Sequence, residues 1–283
     1  MVTIKRAAEL TGVPEHTLRA WERRYGLVSP GRSAAGYRDY DEQALDRIRT
    51  MHGLVEEGWA PRKAALEAAR RENGAATAQD LVAAASAMDS EAAGRVIDDL
   101  FAHGPFEAVV DDWLMPAMVE MGHAWASGTV SVAGEHLVSN LVMRRLAAAY
   151  DATAQPASGP TLLVGAPPGV DHQLSLLAFA TAARRAGAVT VYLGAQVPAE
   201  AWREAAVAVG ARAAVSSVHR RRDAARLRAV ADEFRGLPAF ELWVGGRHQH
   251  LAPTPFRPLG HSITAAARLL VDGNTPAAAP QPG

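Results

Sequence analysis

The chain contains no cysteine, which excludes disulfides, thiolate metal sites and cysteine nucleophiles together. Histidine and carboxylates remain as the available metal ligands. No apolar run approaches the roughly 20 residues that a membrane span requires. The first residues, with Lys5 and Arg6 leading into Ala7, Ala8, Glu9 and Leu10, also lack the apolar stretch of a secretory signal. The expectation is a cytoplasmic protein that makes no use of a membrane. A dominant charge is missing as well, since the formal net charge is only -1.

That near-neutrality hides a division along the chain. Residues 1–38 carry seven Lys/Arg against three Glu, residues 76–160 three Arg against eleven Asp/Glu, and residues from 161 onward 13 Arg against 8 acidic side chains. Segments so different in charge suit different partners, and 283 residues are enough for two or three domains. The expected architecture is multidomain, α followed by α/β. It comprises a helix-turn-helix head over 1–72, a four-helix bundle over 77–151, a Rossmann-like parallel-sheet domain over 160–272, and a disordered tail over 273–283.

In the head, Thr3 is an N-cap for a helix with Ile4, Ala7, Ala8 and Leu10 inward, and Gly12 ends it. Pro14 opens a second helix with Leu18 and Trp21 inward and His16, Thr17, Arg19, Arg23 and Arg24 outward. Two short helices around a glycine turn make a helix-turn-helix signature. The following Ser/Pro/Gly-rich loop brings Arg32, Tyr37, Arg38 and Tyr40 into a wing, and Asp41 caps the next helix. Guanidinium groups that bridge phosphates or read guanine, interleaved with tyrosines that fix register, suit a DNA duplex; a merely solvated basic face is the plainer alternative. The string from Thr3 to Asp41 resembles the winged helix-turn-helix of the MerR family. The resemblance implies promoter DNA as partner, Thr17, Arg19 and Arg23 on a recognition helix, and Tyr37 and Arg38 on a wing. A long dimerisation helix is not evident, so assembly falls to the C-terminal region.

Caps at Thr77 and Ser90, a start at Pro105 and an amphipathic run from Val132 to Tyr150 define the bundle. Beyond Pro160, TLLVGA, VTVYLGA, AAVSSV and ELWVGG alternate with helical stretches, which is the periodicity of a parallel sheet covered on both faces. His172 falls in the loop after the first strand, at the sheet edge where open α/β folds bind ligands. An imidazole there can ligate a metal, although a lone loop histidine is more often plain surface. Ser216 and Val218 close the third strand, and after 26 intervening residues Gly245 and Gly246 close the fourth. Small residues at adjacent strand ends leave room for a bulky group to approach the backbone.

These pieces resemble the cobalamin-binding motif, in which a loop histidine is followed at long spacing by S-x-L/V and GG. The resemblance implies His172 as the lower cobalt ligand. Two positions depart from it: Val170 stands where an acidic residue is expected and Ser175 where glycine is. Asp171 is adjacent and could act as the acceptor that orients a metal-bound imidazole. In the bundle, Trp125, then nine residues, then Glu135 and His136 resemble the signature of CarH/LitR-type photoreceptors. This implies a repressor that binds adenosylcobalamin, a cobalt cofactor, with Trp125 over its upper face and Glu135 and His136 beside the adenosyl group. It also implies a homo-oligomer, a tetramer or dimer, that light dismantles. Ala126 occupies the position at which relatives carry a second cobalt-ligating histidine, and His123 lies one helical turn away.

Three other readings stand beside this one. The first is a regulator sensing another tetrapyrrole, such as haem or a bilin, or cobalamin concentration without light. The second is a corrinoid enzyme or methyl carrier, which the DNA-binding head opposes. The third is a regulator working through protein contacts alone.

Overall fold

Local sequence sets the elements of the head. In the computed structural model, which describes residues 2–28, 31–32, 38–72, 77–102, 104–237 and 239–273, α1 (Ile4–Thr11) begins where the Thr3 hydroxyl accepts from the Arg6 amide. Helix α2 (Glu15–Tyr25) follows Pro14. Strands β1 (Gly31–Arg32) and β2 (Arg38–Asp39) pair antiparallel as the expected wing. Asp41 caps α3 (Glu42–Glu56), and α4 (Pro61–Glu72) opens on its proline. Leu18, Trp21, Tyr40, Leu45, Ile48 and Met51 form the core. Leu10, expected inward, is exposed, because the one-turn spacing that buries Ala7 also buries Thr11 and leaves Leu10 aside.

The bundle consists of α5 (Ala78–Ser86), α6 (Ser90–Ala102), a long third helix and α9 (Val132–Ala152). The third helix runs from α7 (Phe106–Ala108) through a π-helical turn (Val109–Leu114) into α8 (Met115–Ala126). Pro116 has no amide to donate to the carbonyl of Asp112, which loosens the ladder where the π turn sits.

The third segment alternates strand and helix: β3 (Thr161–Gly165), α10 (Leu174–Ala186), β4 (Val189–Gly194), α11 (Ala199–Val209), β5 (Ala213–Ser217), α12 (Leu227–Glu233), β6 (Glu241–Gly245), β7 (Arg257–Pro258) and α13 (Ile263–Asp272). The sheet is parallel in the order β4-β3-β5-β6-β7. The first strand is flanked by the second and third, so the chain reverses direction across the sheet between β3 and β5. A crevice opens there at the carboxyl ends of the strands. The fifth strand was not expected; at two residues it has no periodicity to read.

Bundle and sheet share one apolar core, with Val142 and Leu146 of α9 clustered with Leu177, Phe179 and Ala183 of α10. Polar ties fix the orientation. The Arg184 guanidinium lies 3.6 Å from the Tyr150 ring centroid, and the Tyr150 hydroxyl donates to the Thr190 carbonyl at 3.1 Å. Gln155, in the expected linker, is docked on Thr190. Among the described residues no helix is long and apolar enough to cross a membrane.

Candidate functional site

The crevice is built first by the loop after β3. The Val170 amide donates to the Pro167 carbonyl at 3.1 Å, and the Val170 carbonyl accepts from the Gln196 amide at 3.2 Å. This turn buries Val170 and carries its neighbours outward. Asp171 is exposed and accepts from the Gln196 side-chain amide, so its carboxylate is engaged away from His172. His172 is half-buried. Burial and the Arg220 guanidinium hold its pKa below the usual histidine value, opposed by the carboxylates of Asp223, Asp171 and Glu135. It is therefore neutral near pH 7, with a lone pair free for a metal.

Strand β5 delivers Ser216 and Ser217, whose buried hydroxyls have no hydrogen-bond partner. Buried hydroxyls are normally paired, and because successive strand residues point to opposite faces, each face of the sheet has one unpaired hydroxyl at the end of β5. The Val218 side chain turns into the core on one face of the sheet. Its backbone meets Gly246, where φ is +91° and a Cβ would lie 2.6 Å from the Val218 carbonyl oxygen. Only glycine allows that approach. Gly245 has open space where a side chain would stand, so the strand ends form a low backbone floor.

The bundle supplies the facing wall. At the end of α8, Trp125 is 46% exposed. With Arg220, Arg221 and Arg222 it lines a cleft of about 450 Å³. Glu135, in the first turn of α9, is held by the Ser139 hydroxyl and by His136 Nδ1, both at 2.6 Å. Its approach depends on Gly134, where any Cβ would collide with the Ala85 carbonyl of α5. The charge of Glu135 bears on His172, so a bundle carboxylate lies in the neighbourhood of an imidazole 37 positions further along the chain.

These residues fit a cobalt macrocycle. Among the described residues no group of three or more His, Asp or Glu side chains converges to cage a bare metal ion. One neutral imidazole beside a floor of small residues, with an exposed indole on the neighbouring bundle, suits a metal that arrives with its own planar ligands. An unpartnered serine hydroxyl at the end of β5 could bond a polar group of such a ligand. Sequence reasoning did not identify His219 or the arginines that follow it. Their only sequence signal is the HRRR string directly after S-x-V.

In the head, Arg19 and Arg23 are exposed on α2 and Thr17 is half-buried beside them. Arg19 pairs with Glu15 at 3.2 Å, and Arg38 of β2 pairs with Glu22 at 2.9 Å. Glu22 also accepts from the Tyr40 hydroxyl. Burial, then the Glu22 hydrogen bond, drive the Tyr40 pKa far above the usual phenol value. Glu22 thus ties the wing strand to α2. Tyr37 lies outside the described residues, as does the expected tail beyond Gly273.

Comparison with known proteins bears on both halves. Residues 2–66 match the MerR HTH family of regulatory proteins, and residues 77–150, the bundle, match the B12 binding domain family. The chain is 34% identical over 265 residues to the HTH-type transcriptional repressor CarH of Myxococcus xanthus, covering 85% of this chain and 87% of that protein. It is also 34% identical over 251 residues to the repressor CarA of the same organism, covering 86% and 85%. The monomethylamine corrinoid protein of Methanosarcina barkeri superposes on 69% of this chain and 96% of its own, with a TM-score of 0.50 at 15% identity, a likeness of fold alone.

Proposed function

Because the chain belongs to the family of MerR-type, B12-binding regulators that includes CarH and CarA, we propose that it is a light-responsive transcriptional repressor that binds adenosylcobalamin between its bundle and its sheet. The observation that carries this reading is the meeting of bundle and sheet domain at the sheet's switch point, where Trp125 lines one cleft with Arg220, Arg221 and Arg222, and the Glu135 carboxylate lies near enough to His172 to bear on its ionisation. When bound, the cofactor supplies a cobalt–carbon bond that light can break.

The chain's own residues would do the rest. His172 would offer its lone pair to the metal, while Trp125 would shield the cofactor from water. Glu135, fixed by Ser139 and His136, would accept hydrogen bonds from the hydroxyls of the adenosyl group. Asp171 would hold the loop through Gln196; Ser216 or Ser217, which point to opposite faces of β5, would bond a polar group of the cofactor, and Gly245 and Gly246 would keep the floor low. Loss of the adenosyl group would remove what Trp125 and Glu135 grip and loosen bundle from sheet. In the dark the loaded protein is a homotetramer on promoter DNA, in contact through Thr17, Arg19, Arg23, Tyr37 and Arg38.

The test is the absorption spectrum of purified protein mixed with adenosylcobalamin, before and after green light, beside His172→Ala. Wild type should bind and change its spectrum on illumination; the variant should keep its fold and bind weakly or not at all. A variant that binds as tightly with an unchanged spectrum would overturn the coordination. One observation favours a second reading. Arg220, Arg221 and Arg222 line the cleft with no salt bridge among the described residues, which suits a carboxylate-bearing tetrapyrrole such as haem or a bilin. Tight binding of either, in preference to adenosylcobalamin, would establish it.

A further inference from the structure

His219 follows directly on the S-x-V string of β5, and its ring lies against that of His172, centroid to centroid 5.5 Å at an interplanar angle of 55°. Two imidazoles sharing one N–H···N hydrogen bond have centroids about 5 Å apart, close to the separation of this pair. No hydrogen bond to the His172 ring is present among the described residues. Metal-binding histidines as a rule donate their second ring N–H to an acceptor, which fixes the tautomer and the ring's aim. The nearby carboxylate that would serve, Asp171, is taken by Gln196.

The chemistry of His219 suits that role. A neutral imidazole has one N–H and one lone pair. Its Nε2 lies 2.8 Å from the Ser175 hydroxyl. If Nε2–H donates to Ser175 Oγ, the Nδ1 lone pair is left for the N–H of His172. Ser175 stands where the motif has glycine, and a glycine there would leave His219 unheld.

We infer that His219, anchored by Ser175, is the positioning residue of His172: it accepts the ring N–H of His172 and thereby selects which nitrogen faces the cleft. The inference rests on His172 as the proposed ligand, and its test has an arm that needs no cofactor. ¹⁵N imidazole NMR of the full-length, cofactor-free protein should show His172 as one tautomer and His219 as Nε2–H. His219→Phe should turn His172 into a mixture of tautomers, and His219→Gln, which keeps an acceptor, should restore a single one. Ser175→Ala, which leaves the His219 ring in place, should shift the populations in the same direction as His219→Phe.

With adenosylcobalamin added, His219→Phe should bind on the order of 10-fold more weakly, with His219→Gln close to wild type. A mixed His172 tautomer in wild type would overturn the inference. So would an unchanged tautomer in both His219→Phe and Ser175→Ala, or equal loss of affinity in His219→Phe and His219→Gln. If wild type binds no adenosylcobalamin, the cofactor reading fails, while the tautomers still decide the role of His219.

Discussion

Ala126 is exposed at the last turn of α8, next to Trp125 on the cleft. A methyl group cannot ligate cobalt. His123 is exposed one turn earlier, and residues three apart are helix neighbours without sharing a direction. On the proposed reading, once the adenosyl group is gone the position beside Trp125 offers no imidazole to the corrin, the His136 ring is engaged by Glu135, and His172 would be the protein ligand that remains. Ala126→His should therefore raise the fraction of corrin that stays with the protein through gel filtration after illumination, with a spectrum of coordination by two imidazoles. If illuminated wild type already retains its corrin with that spectrum, another residue fills the role. At this scale the sequence was legible where spacing carries information: His172, Ser216, Gly245 and Gly246 follow from strand ends. His219 was not legible, because its meaning lies in a contact with Ser175, 44 positions away in the chain.

Among the elements, the π turn between α7 and α8 acts as a latch. It projects Asp111, whose carboxylate accepts from Ser262 Oγ and the Ile263 amide, both at 2.8 Å, and from the Thr264 amide at 3.1 Å. A bundle residue thus caps α13 of the sheet domain. Ser262 also caps this helix internally through the Ala265 amide, so one cap survives removal of the other. Asp111→Ala should cost about 1–2 kcal/mol, the range for a lost N-cap, measured by denaturant melts. An unchanged midpoint would show that the latch carries no load.

Beside the latch, Glu107 pairs with Arg185 at 2.7 Å. That hydrogen bond is the main cause that holds the Glu107 carboxyl below its ordinary value of 4.5. Its contribution is present above that value and lost as pH falls through the lower folded one. The pair is partly exposed and its contribution small. The stability gap between wild type and Glu107→Gln should close as pH is lowered from 7 toward 3, and a gap that persists would assign the effect to packing. The alternation of strand and helix made β3 to β6 and their helices readable. The π turn was hidden, because a proline inside an apolar helical run can kink, end or widen the helix, and which occurs depends on tertiary partners such as α13.

For the whole molecule, the uneven charge separates the parts by what they can approach, with a basic head for phosphates, an acidic bundle that has no reason to approach DNA, and a cofactor crevice behind it. The head's contacts reside in one small domain, so photolysis in the distant crevice would not change the contacts made by any one head. It would change how many heads are delivered together. Linked heads bind as an intramolecular event, and affinity falls steeply when the link is lost. The slope of log affinity against log salt counts phosphates neutralised, at about 0.9 per contact. Illumination of the loaded protein should therefore make that slope shallower as well as weaken binding. Arg19→Ala with Arg38→Ala should lower the slope per head in both light and dark, although the Arg38 change also removes the tie to Glu22. His172→Ala, which on the proposed reading cannot hold the cofactor, should show the shallow slope even in the dark. If light shifts the affinity but leaves the slope where it was, the number of engaged heads has not changed. The signal would then have to reach α2 and the wing within a single chain, and loosening of bundle from sheet would not be its route.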